Sequence, residues 1–176
     1  MTTRGQLVIK ALASNRQIAK RYLSFIQKDY FETTDDRLIF TAVKSFIDTY
    51  AGMPSKDAIE LAIEDLPNIS DSRLPELVKH LDTIWKIDAG SNIEYLNATI
   101  EEFVKDRALF NAIMEASSIY GGEIDKPKEA IHTVVADALS IAFDNYARIP
   151  FKPRVSTTPK RTSTARSLGA DLRWRF

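Results

Sequence analysis

Few side chains in this sequence are suited to chemistry. Two histidines, His80 and His132, are the groups best placed to move a proton or hold a metal near neutral pH. They fall in different helical segments, and no ligand set surrounds either one, so both read as helix-surface or partly buried residues. A nucleophilic triad needs a serine beside a histidine and an orienting carboxylate. The serines here sit mostly at helix caps and in the C-terminal tail, where turn chemistry accounts for them. The acidic pairs Asp35-Asp36 and Glu101-Glu102 fall at a helix start and on a solvated face. The phosphate-cradling pattern G-x-x-x-x-G-K-[ST] is absent, so nothing in the chain reads as a nucleotide-driven motor. There is no cysteine, which excludes disulfides and thiolate zinc sites. The expectation is a non-catalytic protein with no cofactor and no metal.

Charge divides the chain. Residues 147–176 carry eight Lys or Arg against one acid, Asp171, leaving 16 basic and 23 acidic residues in 1–146. An acidic body is a poor reader of duplex DNA, whereas the tail is able to meet phosphates or an acidic surface. Lys152, Arg154, Lys160, Arg161 and Arg166 are its candidate nucleic-acid contacts. Arg173 to Phe176 alternate Arg with aromatic residues, a pattern able to stack on single strands, although an unstructured end is the simpler reading. The tail is poor in apolar residues and rich in Arg, Pro, Ser and Thr, which predicts that about 152–173 are disordered in isolation. The N-terminus has no apolar run of signal-peptide length, and no stretch reaches a membrane span of roughly 20 residues. The chain therefore reads as soluble and cytoplasmic.

The elements that position these residues are helical. No sustained alternation of β-branched residues appears, and the apolar pattern predicts seven helices. The first covers about 4–13. The second follows Ser14-Asn15, a capping pair, and is succeeded by a break that holds Tyr30-Phe31, read as a loop anchor plugging the core. Asp35-Asp36 suit the dipole at the start of the third helix, and Gly52 and Pro54 end it. Ser55 caps a short fourth helix that Pro67 closes. Ser70–Ser72 open a fifth, with Pro75 in its first turn. Asn92 caps a long sixth helix, about 92–120, which Gly121-Gly122 terminate. Asp125 and Pro127 begin a seventh, whose apolar positions run through Phe143.

Ile93, Leu96, Ile100, Phe103, Phe110 and Met114 form a heptad-like seam on the sixth helix, with Arg107 at the one charged position. Helices six and seven form an αα-hairpin. A helix of about 29 residues is about 40 Å long, more than the preceding five helices are expected to cover. The hairpin is therefore expected to project and pair with a second copy. Phe103, Phe110, Ile113 and Met114 on one arm, with Val135, Leu139 and Phe143 on the other, are the candidate interface residues. Some of them must pack within the chain, and the sequence does not divide the two sets. The predicted organisation is all-α: a compact helical subdomain at 1–90, a self-association hairpin at 91–146 and a basic tail at 147–176.

Several stretches resemble the N-terminal domain of DnaB-type replicative DNA helicases of T-even-like bacteriophages. "LVIKALASNRQIAKRYLSFIQKDYF" is similar to that domain's two opening helices and closing aromatic segment. "RLIFTAVKSFIDTYAGMPSKDAIELAIE" resembles its third helix, Pro-Ser turn and fourth helix. "FVKDRALFNAIMEAS" and "ADALSIAFDNY" resemble the hairpin arms, the last being the most specific. The resemblance covers about 1–146. It implies a collar on a hexameric ring, built from paired hairpins, that takes part in primase interaction and primosome assembly in an infected bacterial cell. The implied partners are a second copy, building from a dimer toward a hexamer, or a helicase motor subunit, together with primase; a weak single-strand contact through the tail rests on the tail's own basic residues. "RIPFKPRVS" resembles the entrance to the family's ATPase domain, and the likeness ends near Thr157, as in a truncated, frameshifted or split helicase gene. Unwinding and ATP hydrolysis are thus not implied for this chain. Two other roles fit the same residues: a free-standing regulator that joins or caps a helicase ring, and an adapter that binds single-stranded DNA through the tail.

Overall fold

The computed structural model of the chain describes residues 3–66, 69–70, 72–90 and 92–143. Among these residues there are seven α-helices, one 3-10 turn and no strand. The helices are α1 (Arg4–Ser14), α2 (Arg16–Tyr22), α3 (Thr34–Tyr50), α4 (Lys56–Glu64), α5 (Leu74–Trp85), α6 (Ile93–Gly121) and α7 (Ala130–Leu139), with the 3-10 turn at Lys28–Tyr30. The basic tail, with Lys152, Arg154, Lys160, Arg161 and Arg166, lies outside the described residues, as does Pro67.

Local chemistry sets most helix starts. Thr3 and Gln6 close a reciprocal capping box on α1, each side chain accepting from the other's backbone amide. The Asn15 side chain accepts from Gln17 and Ile18, so one residue ends α1 and begins α2. Thr33, Ser55 and Asn92 cap α3, α4 and α6 in the same way. Two expected starts differ. The fifth helix has no side-chain cap: Ser70 and Ser72 bond to each other, and α5 begins with Pro75 in its first turn. Asp125 does not open the seventh helix. The chain from Gly122 to Glu129 is a turn, held where the Lys126 ammonium meets the Glu115 carboxylate at 2.6 Å. That leaves α7 only ten residues long.

α1 is the central element, packed against α2, α3, α5 and α6. Its Val8, Ile9, Ala11 and Leu12 are fully buried. Around it, Ile39, Phe40 and Val43 of α3, Ile59 and Ile63 of α4, and Leu77, Leu81 and Ile84 of α5 complete one apolar cluster. Phe31 enters this cluster from the loop after the 3-10 turn, its ring 4.8 Å from Phe40 and 5.6 Å from Phe103. Gly5 fits closely here: a Cβ on it would stand 3.2 Å from the Phe31 ring, which would have to shift by a few tenths of an ångström. The cluster continues into α6 through Leu96, Ile100, Phe103, Val104 and Ala108, and takes in Phe143. The foot of the hairpin is thus part of the body's core.

One charged residue is enclosed. Asp36, in the first turn of α3, is 3% exposed, and its Oδ1 lies 2.8 Å from Nε2 of His80 on α5. The neighbouring Asp35 meets Arg73 at 2.7 Å. Together these contacts hold the start of α3 against α5. The expectation of a histidine with a structural role therefore gains a specific partner, and Asp36 proves to be buried.

Candidate functional site

The candidate surface expected from the sequence lies on the hairpin. Polar links tie α6 to the body, among them Arg4 of α1 with Glu102 at 3.4 Å and Asp106 at 3.8 Å. The Tyr22 hydroxyl donates to Glu101 Oε1 at 2.8 Å, and Arg21 reaches the same oxygen at 3.0 Å. Burial and the nearby carboxylate push the Tyr22 phenol well above its ordinary pKa. Farther along, Arg107 pairs with Glu32, and the Asn111 amide donates to the Asp29 carbonyl at 3.3 Å. Asn111 makes the last hydrogen bond from α6 to the body. Ten further residues, about 15 Å of helix, carry α6 to Gly121 with α7 at its side.

Two stripes run along α6, separated by a quarter to half a turn of the helix at about 100° per residue. One is the expected seam. Its near part, Leu96, Ile100 and Phe103, is buried in the body, while its far part, Phe110 and Met114, is 52% and 54% exposed. The other stripe is Val104, Ala108, Ala112 and Ile119, all buried. Ala112 and Ile119 lie outside the main cluster and are covered where α7 packs on α6. The seam that pairs the two arms is therefore made largely of small residues, and it is not the seam the heptad pattern marked.

The structure divides the seven candidate interface residues. Phe103 is 4% exposed and Phe143 is 3% exposed. Both are core residues of this chain: Phe103 stacks on Phe31, and Phe143 sits edge-on to Tyr22 and Phe25 at ring distances of 5.5 and 5.0 Å. Neither presents a face to a partner. Phe143 instead returns the chain to the body after α7, which fixes the free end of the hairpin. Val135 is half-buried on α7. Phe110, Ile113, Met114 and Leu139 are all more than half exposed. Tyr120, which the sequence reading passed over, is 72% exposed at the hairpin tip, with the Lys128 ammonium 4.8 Å from its ring centre.

No proton-transfer or metal-binding geometry accompanies this surface. Among the described residues, no group of three or more His, Asp or Glu side chains converges as a metal site. His132 is exposed on α7. No described helix is long and apolar enough to cross a membrane. What the hairpin offers among the described residues is a set of apolar side chains more than half exposed. Half-exposed side chains of this size each leave on the order of 1 kcal/mol of burial unrealised.

The class defined by this fold is an all-helical body whose core runs into the foot of a projecting αα-hairpin. A curated protein shares sequence with it: the DnaB-like replicative helicase of Enterobacteria phage T4 is 24% identical over 152 residues, covering 80% of this chain. The chain spans 31% of that relative's length. No family model matches the chain. The similarity supports a role related to a replication helicase, and the span corresponds to a part of such a protein.

Proposed function

We propose that this chain is a collar-type assembly segment of a phage replicative helicase, which self-associates through the hairpin and supports primosome assembly. The observation that carries the reading is the exposed set Phe110, Ile113 and Met114 of α6 and Leu139 of α7 on the hairpin. Apolar residues at i, i+3 and i+4 on one exposed helix face suit a second helical pair. The similarity to part of a DnaB-like helicase favours a copy of this chain, or a helicase ring subunit, as the occupant. The chain's own contribution is binding and positioning, with hydrolysis assigned to a motor domain and priming to a primase.

The test is Phe110→Asp combined with Met114→Asp. Sedimentation should show an oligomer for the parent and a monomer for the variant, with the same helical circular dichroism. An unchanged oligomer with intact helices would reject the surface. Global unfolding would place the pair in the core. If the parent is monomeric and instead binds a complete phage helicase ring through the same residues, the regulator role replaces the collar role. Single-strand binding that vanishes on removing 148–176 would add the tail's Lys152, Arg154, Lys160, Arg161 and Arg166 to the working surface.

A further inference from the structure

A second surface lies on the body, between α2 and α3. Both helices pack on α1, yet they scarcely touch each other, so a groove runs between them. Its floor is apolar, built from Ala19, Leu23 and Ile47. Arg16, Lys20 and Ser24 follow at intervals of four along one wall, and Lys44, Asp48 and Ala51 at intervals of four and three along the other. The cavity measures about 110 Å³, room for several waters and hence for one large apolar side chain.

Its charge is out of character with the rest of the body. Residues 1–146 hold an excess of acids, yet this rim carries three cations and one carboxylate. Lys44 is engaged with Asp48 at 3.5 Å and donates across the groove to the Leu23 carbonyl at 3.4 Å. Arg16 and Lys20 are exposed and have no acidic partner among the described residues. The end of the groove is shaped at a cost. Ala51 adopts a left-handed backbone at φ 51°, a conformation that a Cβ disfavours, and so turns Gly52 and Met53 to close the cavity.

We propose that this groove binds an acidic peptide segment of a partner protein, with carboxylates over Arg16 and Lys20 and one Leu- or Phe-sized side chain in the cavity. Charge complementarity selects the occupant. The chain's own tail is ruled out by its sign, with eight cations against one acid. Single-stranded nucleic acid is disfavoured because no aromatic ring lines the groove for a base to stack on.

Calorimetric titration of the full chain with the peptide Asp-Glu-Asp-Leu-Phe tests this at low and high salt. Saturable binding that weakens with salt is expected. The peptides Asn-Gln-Asn-Leu-Phe and Asp-Glu-Asp-Ser-Ser should each bind at least about tenfold more weakly. Arg16→Glu with Lys20→Glu should abolish binding with the helical spectrum unchanged. Ser24→Trp, which crowds the mouth without altering charge, should weaken it. The hairpin variant Phe110→Asp with Met114→Asp should bind as the parent does, so this site and the hairpin fail or stand separately. No saturable binding by about 1 mM peptide would overturn the proposal. So would equal binding of the serine-ended peptide, or indifference to the charge reversal. An oligothymidylate that binds more tightly than the peptide and is lost in the same variant would reassign the groove to nucleic acid.

Discussion

Phe103 and Phe110 stand two turns apart on nearly the same line of α6, about 20° from each other around the helix. One is 4% exposed, the other 52%. Their chemistry and helical setting are the same, and what differs is the cover. Beneath Phe103 lie Phe31 and the core of the body, whereas α6 has passed its last hydrogen bond to the body within one residue of Phe110. The body therefore covers Phe103 within the chain and leaves Phe110 open, although exposure is not peculiar to the hairpin: Tyr50 and Leu61 of the body are 70% and 62% exposed. Periodicity marks which side chains want burial. It does not say who provides it.

Alanine substitution should separate the two phenylalanines most widely. Phe103→Ala is expected to cost about 3–5 kcal/mol of stability, the range for a large aromatic removed from a packed core. Phe110→Ala should change stability by about 0.5 kcal/mol or less, as at an exposed site, while weakening self-association. Chemical denaturation alongside sedimentation reads both. Equal stability losses at the two positions would erase the distinction between body and outer hairpin.

The buried pair between α3 and α5 should give the next largest effect. His80→Ala leaves the enclosed Asp36 carboxylate without its hydrogen-bond partner, at a cost of about 1–3 kcal/mol. His132→Ala, on the exposed face of α7, should be near neutral. Denaturation midpoints for the two variants compare a histidine of the body with one of the hairpin.

Tyr22 links the two regions and should respond to alkali. Its folded-state pKa is raised, by burial first and by the Glu101 carboxylate next, above an unfolded value of about 10. The neutral phenol is therefore favoured in the fold. Its contribution is complete below about pH 10 and is lost as pH rises from there through the folded pKa. Tyr22→Phe should cost about 1 kcal/mol at neutral pH and make the loss of stability above pH 10 shallower. Some slope should remain, because burial also raises Tyr30.

The sequence announced the body far better than the division of labour on the hairpin. Caps at Asn15, Ser55 and Asn92 and the plug at Phe31 are local or strongly apolar signals, and each is legible as such, whereas the left-handed stop of α3 falls on Ala51, one residue before the expected Gly52. The hairpin's own seam was not legible, because Ala108 and Ala112 carry almost no hydrophobic signal. Their smallness matters only once α7 is known to lie against them. Phe143 was read as the end of an interface helix. Its burial depends on Tyr22 and Phe25, more than a hundred residues away, and no local pattern encodes that contact. The α2–α3 groove was likewise invisible, since its two walls are distant in sequence and its basic residues are unremarkable singly.

The smallest effect expected concerns how the outer hairpin is held rather than what covers it. Gly122 sits at φ 80°, just past the end of α6, with its amide bonded to the Ile119 carbonyl. A side chain there meets no neighbour, but the left-handed backbone costs a residue with a Cβ about 1 kcal/mol. Gly122→Ala should therefore lower overall stability little, because the hairpin tip is remote from the core. It should instead raise hydrogen exchange locally, at amides of the last turn of α6 and the first of α7, while those of α1 stay protected. Exchange that rises equally in α1 would mean that body and tip unfold as one unit. Exchange confined to the tip would show that the surface offered to a partner is also the part of the fold least held by its own chain, so that association and local order would rise together.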